Sequence, residues 1–78
     1  MKNFKIENYQ VSFQKTVLSK YNTRRVLTMR HKNGTTYEGE TLSEVLEMLD
    51  NTFYHPRTIS TDEYKKVLAA AADFFLPN

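Results

Sequence analysis

The sequence predicts an α+β domain: a three-stranded antiparallel sheet followed by two helices laid on one of its faces, in β-β-β-α-α order. Three observations carry this expectation. Apolar and polar residues alternate along much of residues 4–18, an Asn33-Gly34 dipeptide separates two further β-patterned runs, and two capping-box signatures each open an apolar pattern of helical spacing.

In the run 4–18, Tyr9, Val11, Phe13 and Val17 fall on one face at period two, with Gln10, Ser12, Gln14 and Thr16 on the other. This predicts one long, half-buried strand. Residues 19–23 are the expected connection and residues 25–32 the second strand. Asn33-Gly34 supplies two residues that tolerate positive φ, the signature of a tight two-residue hairpin, before a third strand over residues 35–39. Such a turn places Lys32 opposite Thr35, Arg30 opposite Tyr37 and Thr28 opposite Gly39, all on one face, and sends Leu27, Met29 and His31 to the other. The face the helices cover depends on the first connection. An odd number of residues there joins Tyr9, Val11, Phe13 and Val17 to Leu27 and Met29 in one core. An even number would turn Arg30 and Lys32 inward instead, and the cost of burying isolated charges favours the odd length.

Thr41-Leu42-Ser43-Glu44 predicts a helix start, with Thr41 accepting from the backbone three residues on and Glu44 reaching back. The helix should run to about Thr52 and bury Leu42, Val45, Leu46, Leu49 and Phe53. Tyr54-His55-Pro56-Arg57 breaks it, because the residue before proline is pushed out of the α region. Ser60-Thr61-Asp62-Glu63 opens a second helix to about Phe75, burying Tyr64, Val67, Leu68, Ala71 and Phe75, with Pro77 as the stop.

A chain of 78 residues is one domain, 1–78, too short for two lobes with a cleft between them. It contains no cysteine, so neither disulfides nor a thiolate metal cluster are available and packing must hold it together. In a domain this small, apolar burial and ordering entropy nearly cancel, which leaves a homodimer as an open expectation. The longest apolar stretch, residues 67–72, is far below the roughly 20 residues of a membrane span. The first ten residues, MKNFKIENYQ, lack a signal-peptide core, and the host cytosol is the expected compartment.

Catalytic patterns are missing. His31 and His55 lie in different elements and form no metal spacing, and two glycines cannot build a phosphate-cradling loop. Ser43 and Ser60 are explained by helix starts, and neither Ser12 nor Ser19 has a nucleophile-elbow context. Glu44 and Glu47 lie one turn apart on the wet side of a helix, where acids are ordinarily solvated. The expectation is a non-enzymatic protein without cofactor or metal.

Charge is the informative signal. Residues 1–32 carry eight Lys and Arg against the single acid Glu7, a net of +7, while residues 33–78 carry three bases against eight acids, a net of −5. Lys20, Tyr21, Arg24 and Arg25 cluster at the first connection, and Arg30, Lys32 and Tyr37 stand together on the expected hairpin face. These seven are the candidate binding residues. Arg and Lys supply phosphate contacts, and Tyr stacks on a base or fills a protein pocket. The equally plain structural explanation is that cations across a sheet protect its edges and aid solubility.

The layout from Tyr9 to Phe53, strand, strand, tight turn and strand running into a helix, resembles the arm-binding modules of phage-type integrases. Over the whole chain, a sheet followed by Glu40-Thr41-Leu42-Ser43-Glu44 opening a helix, Asn51-Thr52-Phe53-Tyr54 closing it and Ile59-Ser60 opening the last resembles small phage-encoded inhibitors, the anti-CRISPR proteins among them. That resemblance implies a stoichiometric binder that blocks a host nucleoprotein complex, such as a CRISPR-Cas effector, by steric means. The alternative is direct binding of DNA or RNA through the same face, as a small regulator or recombination accessory. Either way the sheet is expected to form a basic front and the first helix an acidic back.

Overall fold

The chain opens with a hairpin where one long strand was expected. The computed structural model describes residues 3–54 and 57–76, and within them the order is β1 (Phe4–Lys5), β2 (Tyr9–Ser19), β3 (Asn22–His31), β4 (Thr36–Gly39), α1 (Leu42–Tyr54) and α2 (Thr61–Phe75). Met1, Lys2 and Asn78 lie outside the described residues, as do His55 and Pro56, expected to break the first helix, and Pro77, expected to stop the second. The strands form one antiparallel sheet in sequence order, so the class is the expected α+β with four strands rather than three.

β1 pairs with β2 through Phe4↔Val11 and Lys5↔Gln10, and the Ile6 N–H donates to the Tyr9 carbonyl at 2.9 Å. The reversal is therefore at Glu7-Asn8. It brings Phe4 and Ile6, which sit at even positions, onto the face that carries the odd-numbered Tyr9 and Val11. A strand could not do this, because its side chains alternate strictly.

β2 and β3 pair from Tyr9↔His31 to Val17↔Thr23, and then through Ser19↔Asn22 after a bulge that leaves Leu18 as the extra residue. Up to Val17 the register is that of an odd-length connection, so Tyr9, Val11 and Phe13 share their face with Leu27 and Met29, as expected, but Val17, expected in the same core, lies beyond the reach of the helices and is exposed. The β3–β4 hairpin departs from expectation by one residue. Pairs run Leu27↔Gly39, Met29↔Tyr37 and Arg30↔Thr36, His31 N–H donates to the Thr35 carbonyl at 2.7 Å, and Gly34 N–H donates to the His31 carbonyl at 2.8 Å. Lys32, Asn33 and Gly34 form a three-residue loop in which only Gly34 takes positive φ, at 99°. This is the turn-plus-glycine-bulge solution, the next commonest hairpin connection after the two-residue one.

Both helices start at their capping boxes. Thr41 Oγ1 accepts from Glu44 N–H at 3.1 Å, while the Glu44 carboxylate reaches back to the Glu40 N–H at 3.1 Å. Ser60 and Glu63 exchange both bonds, at 3.2 and 2.9 Å. The core joins Val11, Leu27 and Met29 of the sheet to Val45, Met48 and Leu49 of α1 and to Val67 and Ala71 of α2. Each fully buried Val, Leu or Met stabilises the fold by about 1.5–3 kcal/mol. The buried stripe of α1 is rotated from the expected one: Met48 and Thr52 are buried, whereas Leu42, Leu46 and Phe53 are only partly so. Thr52 is tolerated inside because its hydroxyl donates to the Leu49 carbonyl at 3.1 Å. Gly39, at the end of β4, is buried because α1 begins directly over it. Tyr64 donates to Asp50 at 2.6 Å and ties α2 to α1, an acceptor that with burial pushes the phenol up to about 12.

Candidate functional site

The seven candidate residues do not form one surface; the structure divides them three ways. The first group is an arm. Helix packing on β2 ends near Phe13, whose ring meets Phe74 of α2 edge-on at 5.2 Å between centroids. Every residue of β2 from Gln14 to Ser19 is exposed. The β2 side and the tip of the β2–β3 ribbon therefore extend past the core, whereas on the β3 side Val26 is buried and Thr23 and Arg25 are half-buried; the molecule measures 40 × 24 × 19 Å. At the ribbon's tip are Lys20 and Tyr21, with the Lys20 ammonium 5.5 Å from the centre of the Tyr21 ring. Val17, Leu18 and Tyr21 are 68%, 60% and 90% exposed, three of the five most exposed large apolar side chains among the described residues.

The arm's charges are arranged unequally. Arg24 is paired with Glu40 at 2.6 Å, and that hydrogen bond holds its guanidinium pKa above the ordinary value. Lys15 and Arg25, by contrast, stand directly opposite each other in the β2–β3 register. Like charges at such positions destabilise a sheet by roughly 0.2–1 kcal/mol. Arg25 also shares a shallow depression with Phe75 and Leu76 at the C-terminal end of α2, where the helix dipole is negative and the last turn supplies no cation of its own.

The second group lies at the other end of the sheet. Arg30 and Lys32 border an open groove of about 480 Å³ together with Lys5, Gln10, His31 and Glu7. Lys5 was not among the expected residues. It arrives here only because the Glu7-Asn8 turn folds β1 back beside β2, and its signal in the sequence is the phase break between the even-numbered Phe4 and Ile6 and the odd-numbered Tyr9 and Val11.

Tyr37 belongs to neither group. The extra loop residue moves it from opposite Arg30 to opposite Met29, and a one-residue shift in register exchanges the two faces of a strand. Its partly buried ring packs on the core, with its centre 6.2 Å from that of Tyr9. The same shift places Glu38 opposite Thr28, on the face expected to be basic. With Glu40 paired to Arg24, the solvent face of the sheet carries both signs, and the expected division into a basic front and an acidic back does not occur. The acids gather instead along the β4 edge, where Glu38, Glu44 and Glu47 surround a second open depression with Tyr37 and Met48.

A polar network holds the groove end rigid. Asn8 accepts the Lys32 N–H through its carbonyl at 3.0 Å, and its side-chain amide donates to the Thr58 carbonyl at 2.9 Å. Tyr9 and Thr58 hydroxyls are hydrogen-bonded, and burial raises the Tyr9 phenol pKa despite the lowering effect of that bond. Glu63 accepts the Glu7 N–H at 2.8 Å as well as the Ser60 N–H. Burial by itself would raise the Glu63 pKa, but these backbone bonds, the Ser60 hydroxyl and the nearby Lys66 outweigh it and hold the carboxyl below its ordinary value.

Among the described residues, no group of three His, Asp or Glu is placed to hold a metal ion, and no helix is long and apolar enough to cross a membrane. Comparison with protein-family models, with curated proteins and with solved structures returned no match for this chain.

Proposed function

We propose that this protein is a non-enzymatic binding protein that engages a protein partner through the β2–β3 arm. The observation that carries this reading is the composition of the arm's end: Val17, Leu18 and Tyr21 stand in water beside Lys20, and Lys15 faces Arg25. Exposed apolar side chains gain from burial at roughly 25 cal/mol per Å², and phosphates offer them nothing. A partner surface that is apolar at its centre and acidic at its rim satisfies both halves of the arm. The likeness to phage-encoded inhibitors supports a stoichiometric blocker of this kind, acting on a host protein or nucleoprotein complex by occupying a site rather than by turnover.

Interface energy concentrates in Tyr and Arg, so Tyr21→Ala and Arg25→Ala should each weaken partner binding by about 1–3 kcal/mol. Affinity capture from host extract followed by mass spectrometry, with wild type and the two variants run side by side, tests this. The expected result is a partner recovered in stoichiometric amount by the wild type and lost by both variants, whose circular dichroism is unchanged. Recovery of the same partner by both variants would sink the assignment.

One observation favours nucleic acid as a second reading. A two-stranded ribbon fits the major groove of DNA, and this one carries Lys15, Lys20, Arg24 and Arg25. A gel shift at two salt concentrations separates the readings. Retardation of bare duplex that falls steeply with salt and needs Lys20 and Arg25 would favour the nucleic-acid reading.

A further inference from the structure

Three cations from three separate segments meet at the groove opposite the arm. Lys5 comes from β1, Arg30 from β3 and Lys32 from the loop that follows it. Lys5 and Arg30 both flank Gln10 on the outer face, paired to it from either side, which sets their backbones roughly 10 Å apart across two strand spacings. The Arg24–Glu40 contact is the one ion pair among the described residues, so within them none of these three cations has a carboxylate at salt-bridge distance, although Glu7 also lines the groove.

The groove is built before any ligand arrives. Its two turns are hydrogen-bonded to each other through Lys32 and Asn8, and Asn8 is anchored in turn to Thr58. The β3–β4 loop is closed internally by Thr35 N–H on Asn33 Oδ1 at 2.9 Å and by Asn33 N–H on His31 Nδ1 at 3.1 Å. With Nδ1 accepting from Asn33, Nε2 is the His31 ring nitrogen left to donate. Its ring lies edge-on to Tyr9 at 4.9 Å between centroids, which fixes its plane. Three cations against the single acid Glu7, set on a wall of fixed backbone and aromatic surface, leave a net positive potential focused into the space between them.

We propose that this groove is an anion site for phosphoryl groups, with Lys5, Arg30 and Lys32 supplying charge-assisted hydrogen bonds and Gln10 and His31 further donors. Arg30 presents a planar fork suited to two phosphoryl oxygens at once, while the two lysines act as point charges that close the site from β1 and from the loop. Phosphoryl groups reach such a site either on small molecules or along a nucleic-acid backbone. The site is separate from the arm, and neither proposal depends on the other.

The test uses the whole chain, labelled with nitrogen-15, titrated at low salt with inorganic pyrophosphate and in parallel with a short single-stranded oligonucleotide. Amides of Asn8, Lys32 and Gly34 should shift, while those of Lys20 and Tyr21 stay in place. The Lys5→Gln, Arg30→Gln double variant should weaken binding by about tenfold or more, and Lys65→Gln, at an exposed position of α2 away from the groove, should leave it unchanged. Pyrophosphate binding that meets these criteria assigns the groove to small phosphates; oligonucleotide binding alone, on the same amides and lost in the same double variant, assigns it to a nucleic-acid backbone. The proposal is overturned if neither probe binds, if the shifts fall on the arm, or if the groove double variant, shown folded by its amide spectrum, binds as well as wild type.

Discussion

Gly39 shows how much one side chain can matter where two elements meet. A Cβ built there would lie 2.8 Å from Val45 Cγ2 and 3.2 Å from the Val45 nitrogen, so both a β-branched side chain and the backbone of α1 stand in its way. Gly39→Ala should therefore destabilise the fold by about 1–3 kcal/mol, as overpacking of a core does, measured as a lower urea midpoint with unchanged slope. Gly34 is a different case, open to solvent but held at φ 99°, where its freedom lies in the backbone alone. Tyr37 carries the opposite lesson. As a residue type it was a reasonable binding candidate, and what removed it was its place in a register that depends on one loop residue.

At the scale of elements, α2 is fastened to the sheet through its first turn. Glu63 completes the capping box and also holds the Glu7-Asn8 turn, so the carboxylate is bonded in the folded state and solvated in the unfolded one. Its folded pKa is depressed, so its contribution is fully present above the ordinary carboxyl range and is lost as pH falls from about 4.5 through the lower folded value. Glu63→Gln should cost about 1 kcal/mol near neutral pH and flatten the acid limb of stability against pH, followed by urea unfolding at a series of pH values. The arm makes an opposite prediction. Replacing Lys15 with Glu turns a like-charge cross-strand pair into an attractive one, so Lys15→Glu should raise stability by roughly 0.2–1 kcal/mol in denaturant melts. If the arm meets an acidic partner rim, the same substitution should weaken partner capture. A stabilising change that impairs binding is the mark of a surface kept for its partner.

Across the whole molecule, order and exposure are distributed unevenly. Leu27 and Met29 share the core with residues of both helices, whereas beyond Phe13 every residue of β2 is exposed and only the β3 side of the ribbon, at Val26, is buried. Hydrogen exchange should therefore grade along β2 and β3: amides at Val11, Leu27 and Met29 open only with global unfolding, and those paired between Lys15 and Thr23 exchange through local opening at much lower free energy. Uniform protection along both strands, read by NMR, would mean that the arm is folded into something larger, such as a second copy of the chain. The fold class, the two helix starts and the Asn33-Gly34 reversal were legible in the sequence, because alternation, capping and turn chemistry act over a few neighbouring residues. The Glu7-Asn8 turn was missed for want of glycine or proline, although the shift in phase from Phe4 and Ile6 to Tyr9 and Val11 marked it. What only the tertiary structure decided was which charges share a surface. A single loop residue set the register of β4, turned Tyr37 inward and brought Glu38 outward, and the first hairpin carried Lys5 to Arg30 and Lys32. Such pairings are made between residues distant in sequence, so no local pattern of residues encodes them, and the apparent basic half of the chain resolves into an arm at one end and a groove at the other.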